Sequence, residues 1–354
     1  MIEFIRGDIV QADAEALVNT VNSVGIMGRG IALQFKKAFP ENFKTYERAC
    51  RAKEVRPGEM LIFSTGSMIN PKYIINFPTK RDWRGKSRIE DIGAGLKTLI
   101  DEVRKLGVTS IAVPPLGCGL GGLDWRDVKP MIERAFEALP AVQVSLFEPV
   151  GAPDAKTMPV GTKRPPLTTP RALFIRLMHQ YMELAYRLTL LEIQKLAYFL
   201  QEAGEPLRLK YEAHLYGPYA HNLNKVLEKL EGHFIRGYGD TQKPDVEIEL
   251  LPDAAHDAES FLADHDDSID RLERVAKVIA GFETPYGMEL LASIHWVAKH
   301  AKNPAKSSDE AVDRLLAWNE RKRRMFKPEH AAVAWERLME QGWLASATES
   351  AANR

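Results

Sequence analysis

Val18-Asn19-Thr20-Val21-Asn22-Ser23 and, one residue further on, Gly25-Ile26-Met27-Gly28-Arg29-Gly30-Ile31-Ala32 decide how this chain is read. A strand pattern runs into three glycines, which open directly onto an amphipathic run, Ile31–Phe39. Glycines at such a junction let backbone N–H groups approach a phosphate at a helix N-terminus. A second junction of the same kind is Pro114-Pro115-Leu116-Gly117-Cys118-Gly119-Leu120-Gly121-Gly122-Leu123-Asp124-Trp125. Its four glycines in six positions carry an entropic cost that needs a backbone reason. Either loop alone fits a tight turn; the two together fit a diphosphate clamped from both sides. The first loop is neither a G-x-G-x-x-G fingerprint, lacking the later acid at a second strand end, nor a Walker A loop, having no Gly-Lys-Ser/Thr within it.

Outward from these loops the pattern alternates. Strands are expected at Ile2–Ile9, Leu17–Val21, Met60–Ser64, Tyr73–Phe77, Ser110–Val113 and Val142–Phe147. Helices are expected at Ile31–Phe39, Phe43–Lys53, Ile89–Leu106 and Trp125–Leu139. Ile92, Leu96, Leu99 and Val103 mark one face of the third helix. Alternating strands and helices predict an α/β layered domain with a mostly parallel sheet, whose ligand crevice lies at the carboxyl ends of the strands. Two further segments fall at such ends. In Gly7-Asp8-Ile9 the acid suits an adenine amino group and Ile9 an apolar wall, although an Asp here also fits a local turn cap. In Asn76-Phe77-Pro78-Thr79-Lys80-Arg81-Asp82-Trp83 the lysine falls where a distal ribose is expected, with Arg81 and Arg84 able to depress its pKa and Trp83 able to stack on a base.

From Gly151 to Pro170 the chain reads GAPDAKTMPVGTKRPPLTTP, a proline-rich linker without periodicity. The division expected is therefore residues 1–152, a linker at 153–170, and a mainly α-helical domain at 171–354. Helical patterns fall at Arg171–Leu188, Leu190–Ala203, Tyr219–Leu230, Ser268–Phe282, Gly287–Lys299, Asp309–Arg321 and His330–Gln341, with one edge strand at Val246–Leu251. Between Asp245 and Glu273 stand eleven acids against one base, Arg271, and Arg321–Lys327 reads RKRRMFK. These blocks either pair across the fold or form separate partner surfaces.

Composition narrows the class. Lys+Arg and Asp+Glu both number 48, which excludes a broadly basic nucleic-acid coat. Two cysteines, Cys50 and Cys118, exclude a disulfide scaffold and a Cys-rich zinc module. No histidine precedes His179, so Cys118 has no base to make it a nucleophile and lends its backbone. The later histidines (His214, His221, His233, His256, His265, His295, His300, His330) show no zinc-helix spacing, so no metal is expected. The N-terminus lacks a signal-peptide core and no apolar run is long enough to span a membrane, so a reducing cytoplasm is expected.

Gly7-Asp8-Ile9, Asn19-x-x-Asn22, Gly28–Ala32 and Gly117-Cys118-Gly119-Leu120-Gly121 together resemble a macrodomain, the ADP-ribose-binding α/β/α sandwich. The Tyr73–Lys80 strand and the Pro-Leu-Gly-Cys-Gly-Leu loop are similar to the class of terminal ADP-ribose protein glycohydrolases. The whole layout, with Leu190–Leu200 and Tyr216-Gly217-Pro218-Tyr219 in the second half, is similar to the DarG antitoxin family of DarT–DarG toxin–antitoxin pairs. The resemblance implies a three-layer α/β/α macrodomain with a mixed, mostly parallel sheet, followed by the helical domain. It implies removal of ADP-ribose from thymidine in single-stranded DNA, with ADP-ribose as ligand and product and no cofactor, and capture of a cognate DarT-type toxin by the C-terminal domain.

Carried over residue by residue, Asp8 and Ile9 hold adenine, Asn22 contacts the distal ribose, Gly28, Arg29, Gly30, Ile31 and Ala32 meet the diphosphate, and Gly7 and Thr20 count among the ADP-ribose-binding residues. Pro115, Leu116, Gly117, Cys118, Gly119, Leu120 and Gly121 meet it from the opposite side, and Lys80 is catalytic. One departure stands out: the eukaryotic protein hydrolases carry an aspartate where this chain has Gly121, and the nearest acid is Asp124. That weakens transfer of their two-residue mechanism and favours a different scissile bond. Two other readings stay open, a non-catalytic ADP-ribose reader and a toxin-sequestering protein with an auxiliary macrodomain.

Overall fold

The computed structural model describes residues 1–149, 158–183, 187–239 and 245–344. The chain forms two compact units, Met1–Arg164 with Gly239–Gln242, and Pro165–Tyr238 with Lys243–Arg354. The expected 152/153 boundary and the first part of the linker fall outside the described residues, and the helix expected over Arg171–Leu188 runs from Thr169 and stops at Met182.

The first unit is built on six strands, β1 (Ile2–Ile5), β2 (Ala16–Asn22), β3 (Leu61–Ser64), β4 (Tyr73–Lys80), β5 (Ser110–Val113) and β6 (Gln143–Phe147), in the order β1-β6-β5-β2-β4-β3. All neighbours are parallel except the β3–β4 edge pair. Its helices are α1 (Gly30–Ala38), α2 (Pro40–Arg51), α3 (Ile89–Leu106) and α4 (Trp125–Phe136).

Strand alternation sorts side chains into two layers. Ala16, Val18, Ile75, Phe77, Ile111, Val113, Val144 and Leu146 share a cluster with Ile92, Leu96 and Leu99 of α3 and Val128 and Ile132 of α4. Their neighbours Leu17, Ile74, Ala112 and Phe147 turn to the other face and pack with Phe35 of α1. Tyr46, Ala49 and Cys50 of α2 join Val21 and Met27 in a third cluster. Gly95 lets α3 lie directly on the sheet, because a Cβ there would sit 2.3 Å from the Phe77 ring. The three-layer α/β/α sandwich with a mixed, mostly parallel sheet is therefore present.

Three local expectations change. The first strand stops at Ile5 rather than Ile9; Gly7 has φ +149° and Asp8 caps a 3-10 turn, Ile9–Gln11. The fourth strand continues past Phe77 to Lys80, Pro78 being tolerated beside a register shift at Val21/Asn22. The fourth helix ends at Phe136, before Leu139.

The second unit contains α5 (Thr169–Met182), α6 (Leu190–Glu202), β7 (Tyr211–His214), β8 (Gly217–Ala220), α7 (Leu223–Leu230), β9 (Ile235–Arg236), β10 (Glu249–Leu250), α8 (Ala254–Leu262), α9 (Asp266–Ile279), α10 (Pro285–Lys299), α11 (Ser308–Trp318), α12 (Glu320–Met325) and α13 (Pro328–Glu340). A β7–β8 hairpin replaces the expected start of a helix at Tyr219, and the Val246–Leu251 strand shrinks to Glu249–Leu250. The Asp309–Arg321 helix breaks at Asn319, whose side chain accepts from the Lys322 N–H and so caps α12. Within the basic run, Arg321 and Lys322 bond to Glu289 and Arg324 to Glu320, acids that lie outside the acidic stretch. Among the described residues no helix is long and apolar enough to cross a membrane.

Candidate functional site

Because β1, β2, β4 and β5 run parallel, the segments that leave their carboxyl ends emerge along one edge of the sheet. That edge gathers Gly7–Ile9, Ser23–Ala32, Lys80 and Pro114–Asp124. At its centre β2 and β4 pair in register from Ala16↔Tyr73 to Val21↔Pro78, and a bulge then sets Asn22 opposite Lys80. The Ser23 hydroxyl donates to the Lys80 carbonyl at 3.4 Å.

The Lys80 amine crosses to the second glycine loop and donates to the Leu120 carbonyl. Burial alone lowers its pKa from the ordinary lysine value. The expected help from neighbouring arginines is absent: Arg81 is paired with Asp91 at 2.9 Å and Arg84 stacks over the Trp83 ring at 4.8 Å. Trp83 is exposed. A Cβ on Gly30 would sit 3.5 Å from Leu120 Cδ1, so the two glycine loops lie in contact across the site.

The second loop is folded on itself with no room for a side chain at Gly117 or Gly121, whereas a Cβ on Gly119 or Gly122 would meet nothing within 4 Å. Gly117 has φ +72°. A Cβ on Gly121 would lie 2.2 Å from the Gly117 carbonyl oxygen and 2.3 Å from Ser87 Oγ, so the aspartate of the protein hydrolases cannot stand there. Asp124 does not replace it. Its carboxylate caps α4 and holds the Arg126 guanidinium at 2.6 Å, and that pairing pulls its pKa down to about 2. Cys118 has its thiol pushed up to about 11, by burial first and then by Asp124 and Asp127, so it stays protonated. Leu116 is wholly buried in the core, leaving only its backbone for a ligand.

Around the first loop, Asn22 is 7% exposed and most of its hydrogen-bonding capacity is already used. Its Oδ1 accepts from Val24 N, Ile26 N and the Tyr46 hydroxyl, and its Nδ2 donates to the Ile26 carbonyl at 2.6 Å. It is therefore the brace of the loop, with one N–H left. Thr20 is half-buried on β2. Gly28, Arg29, Ile31 and Ala32 surround the start of α1, where Arg29 provides no side-chain cap. Asp8 accepts from Val10 N at 2.9 Å and from Gln11 Nε2 at 3.1 Å. Ile9 is 4% exposed and packs beside Ile31 and Phe35, so the acid rather than the isoleucine presents surface.

Three features lie outside the sequence reading. Tyr46, held neutral by burial, bonds to the Asn22 carbonyl at 2.7 Å as well as to its side chain. Asn19, Asn76 and Asn42 form a buried amide network, in which Asn19 Nδ2 donates to Asn76 Oδ1 at 3.0 Å and Asn76 Nδ2 to Asn42 Oδ1 at 2.7 Å. Ser87 donates its N–H to the Gly121 carbonyl, and its buried Oγ has no partner among the described residues. Amides inside otherwise apolar strands were the available signal for the second; nothing in the sequence distinguishes Ser87.

The Macro domain family model matches residues 18–132. A DNA ADP-ribosyl glycohydrolase of Thermus aquaticus is 47% identical over 345 residues, spanning 97% of this chain and 94% of its own. A DNA ADP-ribosyl transferase-DNA ADP-ribosyl glycohydrolase fusion protein of Thermosipho africanus is 31% identical over 175 residues, 45% of each chain. Among solved structures, the macrodomain of Mycobacterium tuberculosis DarG is 53% identical and covers 42% of this chain and 98% of that one, with a TM-score of 0.42.

Proposed function

The chain belongs to the family of DNA ADP-ribosyl glycohydrolases, and on that footing we propose that it strips ADP-ribose from thymidine in single-stranded DNA and neutralises a DarT-type transferase in the cytoplasm. The observation that carries the catalytic half is the Lys80 amine, partly buried at the end of β4, bridging to Leu120 and standing beside Asn22. The bond to be broken joins the anomeric carbon of the distal ribose to a thymine nitrogen. The base leaves with its bonding electrons, the sugar passes through an oxocarbenium-like state, and water supplies the hydroxyl. Neither position considered for an acid partner shares this work, since Gly121 admits no side chain and Asp124 is held by Arg126. Lys80 therefore acts on the sugar alone, as a neutral amine at the anomeric carbon or as the group that delivers a proton to the leaving base. A depressed pKa raises the neutral fraction and supports the first of these.

The glycine loops hold the diphosphate so that the reacting carbon stays within reach of the amine, an entropic advantage worth about several kcal/mol. Asp8 serves adenine, and Trp83 is free on one face for a neighbouring base. The test is purified protein with an oligonucleotide carrying thymidine-linked ADP-ribose, followed by gel and mass. Clean release, abolished by Lys80→Ala while ADP-ribose still binds, supports the enzyme; binding without release supports the reader.

The second unit is assigned to toxin capture. That a relative joins a transferase and a glycohydrolase in one chain favours a transferase as the partner. Ten of the eleven acids between Asp245 and Glu273 are exposed, with Asp257 half-buried. These exposed carboxylates, of which Glu247 and Glu259 also pair with Arg187 and Arg176, suit a cationic nucleic-acid groove, so neutralising several of them should weaken binding with a strong salt dependence.

A further inference from the structure

The second unit sets three metal-type donors together where two of its helices end. Glu202 is the last residue of α6, His295 lies within α10 and His300 caps the C-terminus of α10. One ring nitrogen from each histidine and one Glu202 carboxylate oxygen all lie within 4.8 Å of one another. We propose that Glu202, His295 and His300 bind a divalent transition-metal ion of the zinc class, which ties the end of α6 to the end of α10.

Two imidazoles and a carboxylate are a recurrent zinc donor set, and three protein donors leave a fourth position open. Around a tetrahedral zinc the donors stand about 3.3 Å apart, as follows from metal–ligand lengths near 2.0–2.1 Å. His300 Nε2 and Glu202 Oε1 are already 2.9 Å apart. The remaining separations, at most 4.8 Å, close with side-chain movements of up to about 1.5 Å, which the partly exposed His300 and Glu202 permit.

His295 supplies the independent observation. It is fully buried, its Nδ1 is 2.7 Å from the Tyr198 hydroxyl, and its Nε2 has no partner among the described residues. A buried ring nitrogen without a partner is costly unless something occupies it. Tyr198 lies one turn before Glu202 on α6 and orients the imidazole, as outer-shell partners of metal-binding histidines do. An ordinary His300–Glu202 ion pair would account for two of the three residues and leave the His295 nitrogen unexplained. No single-helix spacing reveals the set, because its members come from two helices.

The test uses the full-length, untagged chain stripped with chelator, with Co2+ alone as the probe and Zn2+ as competitor. The wild type should develop a visible d–d band that saturates at about one ion per chain and that Zn2+ abolishes. His300→Ala and Glu202→Gln, both partly exposed, should lose the band, and Tyr198→Phe should weaken binding about tenfold or more. Zn2+ at about a hundredfold excess over its Kd should raise the wild-type Tm by about 5 °C and leave the His300→Ala Tm unchanged. His256→Ala should behave as wild type. A wild type without the band overturns the proposal, as does an unchanged band in His300→Ala and Glu202→Gln.

Discussion

Gly121→Ala adds one methyl group where the second glycine loop has no space for it. The new Cβ would meet the Gly117 carbonyl oxygen at 2.2 Å and Ser87 Oγ at 2.3 Å, whereas ordinary contact begins at 3.4 Å. The loop must therefore open by more than 1 Å against a backbone atom. The bonds from Ser87 N to the Gly121 carbonyl and from Leu123 N to the Gly117 carbonyl, 3.0 and 3.1 Å long, are the ones stretched. Overpacking of this kind costs about 1–3 kcal/mol and the two bonds, stretched rather than lost, together about 1 kcal/mol, a total of roughly 2–4 kcal/mol. A Tm lower by about 5–10 °C follows. Leu120, which takes the Lys80 hydrogen bond, sits in the same loop, so the amine loses its position and hydrolysis should fall by about a hundredfold. The assay is release of ADP-ribose from the modified oligonucleotide, alongside a melting curve. Ser87→Gly added to Gly121→Ala removes one clash and leaves the backbone clash, so it should not rescue. A Gly121→Ala protein that melts within 1 °C of wild type and turns over at a comparable rate would refute the reasoning.

Other expectations are as direct. Lys80→Arg should be inactive on the modified oligonucleotide, because a guanidinium neither attacks as a neutral amine nor yields a proton; retained turnover would remove Lys80 from the chemistry. Wild-type rate should rise with pH through a midpoint below 10.5, since burial lowers the Lys80 pKa and the neutral form accumulates above it; a falling profile would assign the ammonium instead. Glu15 is pulled down to about 2 by Lys72 and by the Thr109 N–H, so its bonds stabilise the fold fully above its ordinary value of 4.5 and are lost as pH falls toward 2. Glu15→Gln should thus lose about 1 kcal/mol at pH 7 and converge with wild type in acid unfolding curves. Glu289→Ala leaves the wholly buried Lys322 without its counter-ion and should cost the second unit about 3–5 kcal/mol by denaturant titration; a loss under 1 kcal/mol would show that Lys322 finds another partner.

The layered α/β half was legible because it is written in two periods. Ile89–Leu106 and Ser110–Val113 appear with the bounds their patterns announce. What failed was local competition between turns and repeats. Asp8 withdraws two carboxylate bonds from any continuation of β1, and a cap at Asn319 splits an otherwise continuous helical pattern. The β7–β8 hairpin was invisible because its strands are four residues each and Glu212, His214, Gly217 and Pro218 interrupt any strand pattern in them. At the site, the loops and Lys80 were readable from residue type and place. The brace role of Asn22 was not, because it depends on Tyr46 arriving from another helix. Nor was the metal-type cluster, which no linear spacing announces.

The bulge between Val21 and Asn22 has a consequence for how activity can be lost. Counted without it, β4 would bring Thr79, not Lys80, to Asn22. Because successive side chains on a strand point to opposite faces, a difference of one residue is also a reversal of direction. The position of the amine therefore depends on a register shift at one point of the β2–β4 pair rather than on either glycine loop. Under the proposed role of Lys80, an insertion or deletion at that point would act on turnover separately from the loops assigned to the diphosphate, so hydrolysis and nucleotide binding could part without a substitution in either loop.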